Sequence, residues 1–266
     1  EENFNGYFSG PPVPAADQQR YGLTEKGFGF RWHEFDERFD TRQHPNEINR
    51  FGWVVEIDPW NPGQAPVKRT ALGRFKHEGA TVTLAPDGRV VVYMGDDERF
   101  EYIYKFVSRE RYRAGSPANA SLLDDGVLYV ARFADDGKGR WLPLRHGEHY
   151  PNGALTAENG FTSQGEVVIR CRQAADLAGA TKMDRPEWIA VHPKNGEVYV
   201  TLTNNSKRGA PEAAATDAAN PRPANNFGHI LRWRESQGNP AATTFDWDIF
   251  ALAGDPLNPA TDKQGN

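Results

Sequence analysis

Pro86-Asp87-Gly88-Arg89-Val90-Val91-Val92-Tyr93 is a turn followed by a strand, and the same pattern returns as Pro193-Lys194-Asn195-Gly196-Glu197-Val198-Tyr199-Val200. Glycine supplies the positive φ that the turn needs, and the Val/Tyr run suits a pleated, half-buried surface. Asp124-Asp125-Gly126-Val127-Leu128-Tyr129-Val130 is a looser third copy. The flanks repeat as well: residues 80–84 and 101–107 read as strands around the first copy, and residues 188–191 and 228–233 bracket the second. Repeated antiparallel meanders predict an all-β fold, a partial β-propeller of about three to four blades with about 40–50 residues each. Gly88 and Gly126 are 38 residues apart, one blade, whereas 70 residues separate Gly126 from Gly196, an interval that needs an insertion or a further blade. A β-sandwich is the alternative architecture.

Helix is expected to be sparse. Residues 173–179 predict two helical turns, and 25–39, with charges mixed among Phe and Trp, is either a helix or an irregular segment. The Pro-, Ala- and Gln-rich stretch 10–22 and the low-complexity stretch 208–226 read as long loops, the second as a mobile excursion, inserted into one domain spanning 1–266.

Composition narrows the function classes. The 266 residues suffice to bury a core. No apolar run approaches the roughly 18 residues of a membrane-spanning helix, and no segment near the start resembles a signal peptide. With 31 basic against 36 acidic residues and a net charge of −5, the chain lacks the basic excess that phosphate-backbone binding demands, so no nucleic-acid partner is expected. Cys171 is the only cysteine, which excludes a disulfide framework and a CxxC zinc site within these residues. The chain opens on Glu1-Glu2-Asn3 without an initiator Met and stops at Gln264-Gly265-Asn266, so it reads as an excised piece of a longer protein.

Familiar catalytic devices are absent: there is no GxSxG elbow, no phosphate-binding P-loop and no HExxH, and Gly27 and Gly29 lack the third glycine of a dinucleotide fingerprint. What remains is a set of carboxylates at predicted strand ends: Lys76-His77-Glu78-Gly79, Gly95-Asp96-Asp97-Glu98 and Asp184-Arg185-Pro186-Glu187. In a propeller such ends converge on one face, and a ring of carboxylate oxygens suits a hard cation, Ca²⁺ above all. Each group also has a plainer reading: Asp96-Asp97-Glu98 as a solvated turn, Arg185 and Glu187 as a salt-bridged edge. Arg185 and Glu187, two apart, project to the same side if the segment runs as a strand, which sets a cation beside a metal-ligating carboxylate.

The strings NRFGWVVEIDP (49–59), ALGRFKHEGA (71–80), VYMGDDERFEYIYKFVS (92–108), MDRPEWIAVHP (183–193), VYVTLTNN (198–205) and FGHILRW (227–233) resemble the PhoX-type secreted alkaline phosphatases, over nearly the whole chain. The resemblance implies a β-propeller phosphomonoesterase with a central site of calcium together with iron (Ca²⁺ and Fe³⁺). It implies that Glu78 and Glu187 are metal-ligating carboxylates and that Arg185 grips phosphate. Glu1, Asp96 and Asp97 are further candidate metal ligands, with Glu98 beside them. In the family an iron-binding cysteine sits in a string like TCEEN, and this chain starts directly after that point; Cys171 lies in a different string. An upstream lysine and a downstream calcium ligand also fall outside the chain, so the isolated piece is expected to be inactive. Small phosphate monoesters as substrates, a monomeric state and export to the periplasm or beyond complete the expectation. A calcium-dependent lactonase or esterase on a six-bladed propeller, or a non-catalytic binding propeller, are the competing functions.

Overall fold

The computed structural model describes residues 1–11 and 15–254. Residues 12–14 of the expected loop, and the chain end 255–266, lie outside the described residues. The α-helices are short: α1 (Ala15–Arg20), α2 (Gln164–Ile169) and α3 (Cys171–Ala178). The strands are β1 (Val54–Glu56), β2 (Val67–Arg69), β3 (Thr81–Leu84), β4 (Arg89–Gly95), β5 (Ile103–Arg111), β6 (Gly126–Phe133), β7 (Lys138–Pro143), β8 (His149–Tyr150), β9 (Gly153–Ala154), β10 (Pro186–Val191), β11 (Val198–Leu202), β12 (His229–Glu235) and β13 (Thr244–Leu252). The architecture is mostly β with little helix.

Nine strands form one antiparallel sheet in the order β10-β11-β12-β13-β7-β6-β5-β4-β3. It consists of two meanders, β3 to β7 and β10 to β13, hydrogen-bonded where Thr244 of β13 faces Arg140 of β7. The sheet nearly closes on itself, because β3 at one end reaches β10 at the other, with the Thr81 hydroxyl donating to the Ile189 carbonyl. Among the described residues there are two meanders rather than three to four. The reason is that the copies at Gly88 and Gly126 lead into β4 and β6 of the same meander. The long interval before Gly196 holds β7 and β10 of the sheet, and the β8-β9 hairpin, α2 and α3 are inserted between them.

β4 is apolar on both faces because both are covered. Val90, Val92 and Met94 enter one core with Phe75, Tyr104, Phe106 and Leu128, while Val91 and Tyr93 enter another with Ile189, Val200, Leu231 and Trp233. Period-2 alternation divides one strand between two cores. The first core is closed by α3, whose Cys171, Ala174, Ala175 and Ala178 are buried at helical spacing; the helix stops at Gly179, φ 75°. The predicted turns 173–179 are thus most of α3, which begins two residues earlier and ends at Ala178. The second core joins the two meanders around buried Glu235, which accepts from Tyr93 Oη at 2.8 Å, Lys105 Nζ at 3.2 Å and Trp141 Nε1 at 3.0 Å.

The stretch 25–39 is irregular, with two 3₁₀ turns at Trp32–Glu34 and Glu37–Phe39. The stretch 208–226 contains no helix or extended strand, but it is anchored: buried Arg208 donates to Asp184 at 2.8 Å, and Asn220 Nδ2 to the Lys182 carbonyl at 3.1 Å. These bonds fasten an excursion whose composition alone reads as mobile. No helix among the described residues is long and apolar enough to cross a membrane.

Candidate active site

The two ends of the sheet meet through a glycine. A Cβ on Gly95 would lie 2.6 Å from the Glu187 carbonyl oxygen and 2.7 Å from that of Pro186, so only glycine lets the end of β4 run against the start of β10. The chain then turns back through residues 96–101, bridged in antiparallel fashion at His77 with Asp96 and at Arg99 with Asp184. Side chains of this turn alternate. Asp96 is buried and paired with Arg172 at 2.6 and 2.8 Å, and Glu98 accepts from Lys76 Nζ at 2.7 Å. Asp97 points elsewhere, its Oδ2 2.9 Å from Arg185 Nη2.

Arg185 precedes Pro186 with φ 58°, a left-handed conformation unfavourable for any residue with a Cβ. The backbone there is over-determined by its neighbour Asp184, whose carboxylate accepts from Asn205 at 2.9 Å, Arg208 at 2.8 Å and Asn225 at 3.0 Å. The result aims the guanidinium at two carboxylates, since Nη2 is also 3.7 Å from Glu187 Oε1.

Glu2, Glu78 and Asp97 each offer one oxygen, and the three lie within 4.8 Å of one another. Burial pushes the Glu78 carboxyl up to about 7, helped by repulsion from Glu2, Glu187 and Asp97 and by a hydrogen bond to Glu2. Burial also raises Asp97 against the opposing pull of Arg185. Asp97 Oδ1 is sealed from solvent without a donor. A sealed carboxylate oxygen without a partner is costly. The donor set is all oxygen and crowded with negative charge, which fits a hard cation taking several carboxylate ligands.

His77, beside Glu78, is buried with its ring stacked on Phe75 at 3.7 Å between centroids. Its Nε2 lies 2.9 Å from the Gly73 carbonyl oxygen, which fixes the neutral tautomer with the proton on Nε2. Burial holds its pKa down to about 3. The folded state therefore binds fewer protons than the unfolded chain below the ordinary His value near 6.5. Stability is full above that value and falls as pH drops through it, by up to about 1.4 kcal/mol per pH unit. Urea midpoints between pH 7 and pH 5 are expected to fall less steeply in His77→Gln than in the wild type; equal slopes would show that His77 titrates normally.

Residues 1–266 match the family profile described as "Alkaline phosphatase PhoX". The chain belongs to the PhoX alkaline phosphatase family. Among solved structures, this PhoX-family chain is similar to one described as "Pseudomonas fluorescens PhoX in complex with vanadate, a transition state analogue", with 51% identity and a TM-score of 0.90. The similarity covers 98% of this chain and 46% of that one, so the chain spans about half the length of that relative. A comparison with curated protein sequences finds no match.

The structure brings Glu78, Asp97, Glu187 and Arg185 of this PhoX chain together. Two expected ligands lie elsewhere. Glu1 Oε2 accepts from the amides of Gly52 at 3.0 Å and Trp53 at 3.1 Å, and its Oε1 from Lys68 Nζ at 3.0 Å, so it anchors the N-terminal segment. Asp96, expected among the ligands, is consumed by Arg172 beneath the site. Adjacent side chains diverge, and only one of each acidic pair reaches the cluster. Glu2 is the member that sequence reasoning misses: its signal is that it stands next to Glu1 in the same Glu-Glu-Asn string, and the sequence does not say which of the two turns inward. Cys171 donates its thiol to the Arg74 carbonyl at 2.8 Å, and burial pushes its pKa up to about 12; it is packing.

Proposed function

We propose that the intact protein carrying this chain hydrolyses phosphate monoesters at a cation site ringed by Glu2, Glu78, Asp97 and Glu187, with Arg185 gripping the phosphoryl group. The observation that carries this reading is the convergence of carboxylates on one point, with a sealed, donorless Asp97 oxygen, directly beside a guanidinium that engages them through Nη2 alone. When bound, calcium and iron, the cations the family resemblance implies, supply Lewis-acid polarisation and charge neutralisation at the phosphoryl oxygens. The protein's own part is positional. Arg185 is held by the strained backbone at Asp184-Arg185-Pro186 and presents two parallel donors to phosphoryl oxygens. The carboxylates would hold the cations beside it, so an anionic substrate would meet positive charge from the arginine and from the bound cations. The two meanders then correspond to neighbouring blades of a larger propeller. A monomeric state and export to the periplasm or beyond belong to the same reading.

Hydrolysis of an aryl phosphate by the intact protein at alkaline pH, with calcium and then with a chelator, tests it beside a lactone control. Calcium-dependent phosphate release abolished by the chelator is expected. Lactone hydrolysis without phosphate release from folded, metal-loaded protein would replace the phosphatase reading with the lactonase one.

A further inference from the structure

The two meanders meet in two places. The catalytic carboxylates gather at one of them, where the end of β4 runs against the start of β10. At the other, β7 and β13 pair over a short seam, Thr244 with Arg140, Phe245 with Gly139 and Asp246 with Lys138. Beside this seam lies a cavity of about 860 Å³, the size of a small-molecule site.

Strand register supplies the floor of the cavity. On β6 and β7, Val130 faces Leu142 and Arg132 faces Arg140. Val130 belongs to the first core with Leu142 packed against it, whereas Ala131, Phe133 and Trp141 enter the second core from the opposite face. Alternation therefore carries Arg132 and Arg140 to the face of Val130 and Leu142. Both arginines line the cavity, together with Leu142, Tyr150, Ser236 and Thr244. Both are exposed, and neither forms an ion pair or a side-chain hydrogen bond with any described residue. Like charges directly opposite across two strands, their Cβ atoms roughly 4.5–5.5 Å apart, destabilise a sheet. The third cation of this face is already spent, since Lys138 Nζ donates to Asp246 at 2.7 Å. Asp136, also on the wall, accepts from the Lys138 amide at 3.0 Å and closes its own hairpin turn.

An opposed arginine pair that weakens the sheet by itself is explained by an anion that both forks hold. Two guanidiniums present more donors than one carboxylate accepts, and a phosphoryl group has three oxygens to receive them. Ser236 Oγ and Thr244 Oγ1, 2.7 Å apart, spend one hydroxyl proton on each other and leave the second for a ligand. Next to the arginines the wall turns apolar, with Leu142 and with the ring of Tyr150, whose hydroxyl is held by the Pro143 carbonyl. We infer that this cavity binds a phosphorylated organic molecule, its phosphoryl group on Arg132 and Arg140 and its apolar part against Leu142 and Tyr150. The first meander supplies the arginines and the second the hydroxyls, so the bound molecule bridges the seam. The site is separate from the carboxylate cluster and does not depend on the phosphatase reading.

Isothermal titration of the intact, metal-loaded protein with phenylphosphonate, which has no ester bond to hydrolyse, tests the site. The double variant Arg132→Ala/Arg140→Ala is expected to bind one equivalent fewer than the wild type, and each single variant to bind that equivalent about tenfold or more weakly. Arg185→Ala is expected to retain it, because Arg185 stands at the other junction. Methylphosphonate is expected to bind several-fold more weakly than phenylphosphonate at this site, since it brings almost no apolar surface to the wall. Without ligand, the urea midpoint of the double variant is expected to equal or exceed that of the wild type, because the opposed charges are gone. Unchanged stoichiometry in the double variant, loss of the same equivalent in Arg185→Ala, or a urea midpoint well below wild type would overturn the assignment. Equal affinity for the two phosphonates would overturn the organic part of the ligand.

Discussion

Replacing Arg185 by Ala in the intact protein is expected to lower phosphate monoester turnover by roughly 10²-fold or more, the usual cost of losing a preorganised electrostatic donor. The magnitude follows from how the side chain is held. Arg185 spends Nη2 on Asp97 at 2.9 Å and lies 3.7 Å from Glu187, while its side chain remains 28% exposed, which leaves the rest of the fork open to an incoming phosphoryl group. A guanidinium stays charged at alkaline pH, where a lysine begins to lose its proton. Arg185→Lys is accordingly expected to recover only a fraction of the lost rate, because an ammonium cannot span two phosphoryl oxygens in the plane of a fork. The positive φ at this position is kept in both variants, so a difference between them reports the side chain and not the backbone. An Arg185→Ala protein with wild-type turnover would remove the arginine from the chemistry.

The largest stability effect is expected one layer below. Asp96 and Arg172 are a fully buried pair, with side chains 0% and 1% exposed. Two short bonds join them, the Lys76 amide donates to Asp96 at 3.2 Å, and Arg172 Nη1 donates to the Arg20 carbonyl at 3.0 Å. Removing one partner strips the other buried charge of its hydrogen-bonded counter-ion, leaving Arg172 only Glu101 at 3.5 Å, so Asp96→Ala is expected to cost about 3–5 kcal/mol, read from urea unfolding. Arg172→Met should cost a similar amount. The double variant should cost less than the two together, because the second substitution removes the charge that the first stranded. A single-variant loss below about 1 kcal/mol would mean that water reaches the pair. The pair also positions the site above it, because it ties α3 to the turn 96–101, and that turn delivers Asp97 on its opposite side.

The hairpin turns at Gly88 and Gly196 are legible because each carries its own chemistry, a positive-φ glycine ahead of a Val/Tyr run. The strands that follow fall where the pattern puts them, at Arg89–Gly95 and Val198–Leu202. The count of meanders is not legible. A turn-plus-strand string marks a hairpin, and nothing local distinguishes a hairpin within one meander from the start of the next, so the string at Gly126 reads as a new unit although it continues the first. The helix pair between β9 and β10 is only half visible: residues 173–179 show α3, whereas α2 (Gln164–Ile169) buries Val167 alone and so presents no apolar stripe to read.

At the site, residue types and strings in the sequence by itself determined the family and singled out Arg185 and Glu187, which the structure sets 3.7 Å apart. Tertiary structure decided which carboxylate of each adjacent pair takes part. Glu1 and Glu2, and likewise Asp96 and Asp97, are chemically alike or nearly so, and their fates differ because consecutive side chains leave the backbone in different directions and meet different partners. One of each pair meets a neutralising partner, the Gly52 and Trp53 amides or Arg172, and the other reaches the crowded cluster where Gly95 lets two strand ends touch. Which direction leads inward is set by strand register and by contacts more than fifty residues away, and that information is in no short string.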